Sequence, residues 1–85
     1  MSWHVEVDRA VVKFLSRIPQ KDASRLSEVL DDFETDPLIG DITKLSGETN
    51  GWRRRVGSYR IFFELFAEKR VVLVHEIKRR SSHTY

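Results

Sequence analysis

The sequence predicts an α+β domain: an N-terminal strand, a hairpin of two helices, then a three-stranded antiparallel meander. Three observations carry that expectation. Apolar residues recur twice at helical spacing between residues 10 and 33. After residue 51 come three runs rich in β-branched and aromatic residues, separated only by Gly57-Ser58 and by Ala67-Glu68-Lys69-Arg70. Strands joined that closely run antiparallel. Helical and extended patterns are segregated along the chain, as in α+β proteins.

Each element has its own signal. Trp3 to Val7 alternates large and polar residues and reads as a short strand. Asp8 is a good N-cap for a helix carrying Ala10, Val11, Phe14, Leu15 and Ile18 on one face and stopping at Pro19. Pro19 also suits the first turn of a second helix, whose Ala23, Leu26, Leu30 and Phe33 form a stripe closed by Pro37. With almost no linker between them, the helices form a hairpin packed on the sheet, and their stripes are core. From Pro37 to Gly51 the pattern breaks, and Gly40, Gly47 and Asn50-Gly51 mark loops or turns. The strands are expected over Trp52 to Val56, Tyr59 to Phe66 and Val71 to Lys78.

Eighty-five residues make one domain, 1–85, with a modest core. The absence of cysteine excludes disulfides, thiolate metal sites and thiol nucleophiles. Apolar runs are too short to span a membrane and no secretion signal opens the chain, so a soluble, cytoplasmic protein without membrane contact is expected. Net charge is only +2, but it is unevenly distributed. Residues 1–50 hold six Lys/Arg against ten Asp/Glu, or −4, and residues 51–85 hold nine against three, or +6. The second half therefore offers a basic surface suited to nucleic acid or an acidic partner.

That surface centres on Gly51-Trp52-Arg53-Arg54-Arg55-Val56-Gly57-Ser58-Tyr59-Arg60, with four arginines in eight residues. Strand alternation sends Arg53 and Arg55 to one face and Trp52, Arg54 and Val56 to the other. Guanidinium groups on one face suit phosphate. Arg54, facing away, reads as a surface or partner-binding charge. With Lys44, Lys78 and Arg80 it completes the residues expected to contact nucleic acid. Trp52, Tyr59, Phe62, Phe63 and Phe66 are assigned to core or sheet packing. His75 shares strand parity with Leu73, Ile77 and Arg79 and so can approach the basic face, but as a strand histidine it is left out of the catalytic set, and nothing ties His4 to the site.

Lys44-Leu45-x-Gly47, Trp52-Arg53-x-Arg55-Val56-Gly57-x-Tyr59-Arg60-Ile61, the Val-rich last strand ending in Lys78-Arg79-Arg80, and the final Tyr85 together resemble the RelE/ParE toxin superfamily of toxin-antitoxin systems. With the two helices, the resemblance covers nearly the whole chain. It implies two helices against a curved antiparallel sheet and a cognate antitoxin protein as partner. RelE-type members cleave messenger RNA in the ribosomal A site, contacting 16S rRNA, and meet operator DNA only through the antitoxin complex; ParE-type members inhibit DNA gyrase. The resemblance places Arg53, Arg55, Arg60, Arg79, His83 and Tyr85 in the catalytic set. RelE itself has lysines where Arg53 and Arg55 stand, and a guanidinium, always charged, is a poor proton acceptor. Relatives of the YoeB kind use a His beside a C-terminal Tyr, and here His83 lies two residues before Tyr85.

The chemistry can also be reasoned directly. Cutting RNA requires the 2′-hydroxyl to lose a proton, the phosphorane charge to be stabilised and the departing 5′-oxygen to be protonated. Arg53, Arg55, Arg60 and Arg79 supply charge stabilisation. His83, whose imidazole ordinarily titrates near neutrality, is the best proton carrier. Tyr85 can stack on an unpaired base or donate to the leaving oxygen. A two-metal mechanism needs clustered carboxylates, and the basic half has only Glu64, Glu68 and Glu76, so no metal and no cofactor are expected.

Overall fold

In the computed structural model, which describes residues 2–80, the run Tyr59–Phe66 is a strand whose residues alternate without a break between buried and half-buried. The elements are β1 (His4–Val7), α1 (Arg9–Leu15), α2 (Gln20–Asp32), β2 (Ile42–Lys44), β3 (Gly51–Val56), β4 (Tyr59–Phe66) and β5 (Val71–Arg79). They form one five-stranded sheet in the order β1-β5-β4-β3-β2. The meander β3-β4-β5 is antiparallel as expected. Two strand features go beyond the sequence expectation. β1, whose partner the sequence left unassigned, pairs in parallel with β5 at the sheet edge. The segment expected to be loop contains β2, which pairs with β3 through Ile42↔Arg54, Thr43↔Arg53 and Lys44↔Trp52. Three residues, only one of them apolar, are too few for an alternation signal.

Asp8 caps α1 as expected, its Oδ1 accepting from the Ala10 N–H at 2.8 Å. The helix ends at Leu15, earlier than the apolar spacing reached, and Ile18 packs on the core from the connection. Pro19 is the N-cap of α2, and Phe33 its C-cap. Both helices cover one sheet face. Val11, Leu26, Val29, Leu30 and Phe33 meet Tyr59, Ile61, Phe63 and Leu65 of β4 and Val72, Val74 and Ile77 of β5. The Phe33 and Phe63 rings stand 4.8 Å apart, and Phe14 meets Tyr59 edge-on at 5.9 Å. No helix among the described residues is long and apolar enough to cross a membrane.

Two local ties hold the connections. Gly57 opens the two-residue turn between β3 and β4 at φ +57°, a conformation glycine adopts at little cost. The loop before β2 passes Gly40 at φ +96°, and a β-carbon there would lie 2.5 Å from the Arg54 guanidinium carbon. Arg54 Nη1 donates to the Ile39 carbonyl at 2.8 Å, and its Nε is buried without a partner among the described residues. Arg54 is therefore a brace for this loop, contrary to its expected place among surface and RNA-binding charges.

Gly40→Ala should lower stability by about 1–2 kcal/mol through the left-handed backbone alone, read as a shift in urea midpoint at constant slope. Tyr59→Phe should cost about 1 kcal/mol at neutral pH, since it removes the 2.7 Å bond from the Tyr59 hydroxyl to Asp22 Oδ2 that ties β4 to α2. That bond, with burial and the nearby Asp22 charge, raises the Tyr59 pKa above its ordinary value, against a smaller lowering by Arg79. A raised folded pKa gives stability that is complete below the unfolded pKa and lost as pH rises through the folded one. The stability gap between wild type and Tyr59→Phe should therefore close in strongly alkaline urea titrations and stay constant from neutral to mildly alkaline pH.

Candidate nucleic-acid interface

With both helices on one side of the sheet, the other side is left without a helix. Its rows follow from the register: Arg55 opposite Arg60 opposite Lys78, then Arg53 opposite Phe62 opposite Glu76, then Gly51 opposite Glu64 opposite Leu73. Arg53 and Arg55 thus share the open face, as their parity predicted, and Arg60 and Lys78 join them. Lys78 Nζ stands 5.6 Å from the centre of the Phe62 ring, so a half-buried aromatic lies among the cations. Phe62 and Phe66 are on this face; of the aromatics assigned to packing, only Tyr59 and Phe63 are buried.

The electrostatics of the face are unbalanced. Arg55 and Arg60 are direct cross-strand neighbours, an arrangement of like charges that destabilises a sheet. Arg55 is relieved by Asp41, whose Oδ2 accepts from its Nε at 3.0 Å. Arg53 and Arg60, both half-buried, make no side-chain hydrogen bond or ion pair among the described residues. Arg53 and Arg60, at diagonal positions of adjacent strands on one face, carry open donors that phosphate oxygens can satisfy.

The remaining expected residues are dispersed. Arg79 lies opposite Tyr59, and so on the helix side, 5.8 Å from the centre of that ring. There it lines a cavity of about 140 Å³ with Asp22, Arg25, Gly57 and Ser58. The structure therefore does not bring Arg79 to the face of Arg53, Arg55 and Arg60. Lys44 Nζ donates to the carbonyls of Glu48 and Thr49 at 3.0 and 2.9 Å and sits 5.6 Å from the centre of the Trp52 ring, closing its own loop. Arg80 follows the end of β5 and is exposed, its N–H bonded to the Ser58 carbonyl. His83 and Tyr85 lie outside the described residues.

One pair on the open face was absent from the sequence reading. His75 Nε2 stands 2.7 Å from Glu64 Oε1. β5 shifts register against β4 between Phe62 and Phe63, so Glu76 pairs with Phe62, Val74 pairs with Phe63, and His75 is the extra residue. Simple parity would have put Ile77 and Arg79 on the side of His75 and Leu73; after the bulge they face the helices. The signal was present in the spacing of Val72, Val74 and Ile77, which steps by two and then by three.

A family model described as the ParE toxin of type II toxin-antitoxin system, parDE, matches residues 2–83. The RelE1 protein of Methanocaldococcus jannaschii is 26% identical over 83 residues, covering 94% of this chain and 92% of that protein. The fold is similar to a chain of the archaeal RelE-RelB complex from Pyrococcus horikoshii, with TM-score 0.85, 27% identity and coverage of 98% of this chain and 100% of that one. It is also similar to a chain of the toxin-antitoxin complex RelBE2 from Mycobacterium tuberculosis, with TM-score 0.81, 20% identity and coverage of 94% and 100%; at that identity the likeness is one of fold. Matched over residues 2–83 and built of two helices on one face of a sheet, the chain belongs to the ParE toxin family of type II toxin-antitoxin systems, within the RelE/ParE superfamily.

Proposed function

We propose that this toxin is a ribosome-dependent endoribonuclease that cuts messenger RNA in the A site and is silenced by a cognate antitoxin lying over its basic face. The observation that carries this reading is the pair Arg53 and Arg60 on the helix-free face, whose side chains have no partner among the described residues, beside Phe62 and Lys78. A message threaded over that face places a phosphate between guanidinium groups and a base against the aromatic ring. As the 2′-oxygen attacks phosphorus, negative charge grows on the non-bridging oxygens. Fixed guanidinium donors bind that charge more strongly than the ground-state phosphate. A face this cationic also repels a divalent metal, so arginine charge takes the place that Mg²⁺ holds in metal-dependent nucleases. The tail residues His83 and Tyr85 extend the proposed set, and Arg79 adds positive charge at the hairpin end of the sheet from its other side.

A second reading, a gyrase-directed toxin without catalysis, is favoured by one observation, that the matching family model is that of ParE. The two separate in a pair of assays. Ribosomes programmed with a short message should yield A-site cuts ending in a 2′,3′-cyclic phosphate. Arg60→Ala and Arg53→Ala should each slow that cleavage on the order of a hundredfold, with folding preserved. Intact message beside gyrase-dependent DNA breaks in a parallel reaction would select the gyrase reading instead.

Masking by the antitoxin has its own measurement. An acidic or amphipathic segment that orders on the open face should protect Arg53, Arg55 and Arg60 from phenylglyoxal in the purified complex, read by mass spectrometry. Full labelling of all three in the complex would mean that neutralisation works by bulk, away from this surface.

A further inference from the structure

The charge of the open face can be met by its arginines, but none of them can take a proton from a 2′-hydroxyl. The β5 bulge supplies a group that can. His75 is the residue left unpaired by the register shift, and bulges re-aim side chains in this way. Its Nε2 is occupied by Glu64 Oε1 at 2.7 Å, which leaves Nδ1 as the ring nitrogen available to a ligand. The His75 side chain is 44% exposed and that of Glu64 31%. The imidazole is thus open to solvent while its orientation is set by a partner. Glu64 stands two residues from Phe62, about 7 Å along the strand, and Arg53 is directly across from Phe62. The pair and the Arg53 guanidinium therefore lie about one nucleotide step apart on a single surface, with Arg60 about 13 Å from Glu64 along the same strand.

Resting on the ribonuclease reading, we infer that His75 is the general base of this face and that Glu64 is its positioning residue. The neutral imidazole, donating Nε2–H to Glu64, accepts the 2′-hydroxyl proton at Nδ1. The bond from the 2′-oxygen to phosphorus forms as the bond from phosphorus to the 5′-oxygen breaks. The imidazolium, held by the Glu64 carboxylate, returns the proton through a water to the departing 5′-oxygen. The products are a 2′,3′-cyclic phosphate and a free 5′-hydroxyl, and no other reactant is consumed.

Several charged groups surround the pair. They are Arg53 from β3, Arg60 from β4, Glu76 and Lys78 from β5, His4 and Glu6 from β1, and Glu48, whose carboxylate lies over Gly51. His4 and Glu6 bond to each other at 3.2 Å, and Glu76 stands 4.0 Å from Lys78. The decisive experiment is the pH dependence of single-turnover cleavage on programmed ribosomes by the full-length wild type, His75→Gln, Glu64→Gln and His83→Ala. Wild-type cleavage should slow toward acid pH as the base takes up its proton. His75→Gln should cut the plateau rate about a hundredfold and abolish that acid limb, with the fold retained by circular dichroism. Glu64→Gln should lower kcat about tenfold with KM unchanged, and Glu64→Asp should recover part of the loss; this pair tests the role even if His75→Gln folds poorly. Wild-type rate and acid limb in His75→Gln, or loss of the limb in His83→Ala with retention in His75→Gln, would overturn the assignment. A wild type that leaves message intact while damaging DNA with gyrase would remove the ribonuclease reading itself, a result distinct from either of these.

Discussion

The constraint on which this molecule depends is the unbroken alternation of β4. Tyr59, Ile61, Phe63 and Leu65 point to the helices, so Arg60, Phe62, Glu64 and Phe66 must point the other way. Because β4 is the middle strand, its parity is passed through the backbone ladder to both neighbours. Arg53 and Arg55 on β3 and Lys78 on β5 are thereby delivered to the same side as Arg60. A slip of one residue would bury arginines against Phe33 and Leu26 while exposing Ile61 and Phe63. Burial of unpaired charge costs far more than any local contact returns, so the register has no close competitor. The hydrophobic core and the candidate RNA surface are two sides of one periodicity.

The face opposite the helices is not arranged for stability. Arg55 and Arg60 oppose each other across strands, and the acid that relieves Arg55 comes from the loop before β2. Arg53 and Arg60 have no such partner among the described residues. By contrast, the chain pairs or braces cations where they serve the scaffold. Arg54 holds the Ile39 carbonyl, Lys44 closes two carbonyls of its loop, and Arg70, at φ +55°, stacks on Trp3 at 4.6 Å beside β1. The open donors of Arg53 and Arg60 are groups that an anionic ligand on this surface can satisfy.

The bulge at His75 links the two regions. It lets β5 follow β4 past Phe62 while keeping Val72, Val74 and Ile77 all in the core. The extra residue has to go outward, and there it meets Glu64. The same shift turns Arg79 inward to Tyr59, where Asp22 and Arg25 line the neighbouring cavity. One inserted residue therefore exchanges what the end of β5 presents on each side: Lys78 to the open face and Arg79 to the helices.

By itself the sequence determined the segregation of helices and strands, the cap at Asp8, the three strands of the meander, and the side to which Arg53, Arg55 and Arg54 point. These depend on spacing within one segment, and a period of two or 3.6 residues is a local property. Tertiary structure alone decided what depends on a partner distant in the chain. The parallel seat of β1 on β5 sets Val5 against Val72 and Val7 against Val74, more than sixty residues away, and β2 exists only because β3 offers it a ladder. Arg54 became a loop brace because Gly40 passes beside it, 14 residues earlier in the chain. His75 and Arg79 changed sides because a bulge is set by how two strands keep their apolar residues aligned, and simple alternation counted along one strand does not contain that condition.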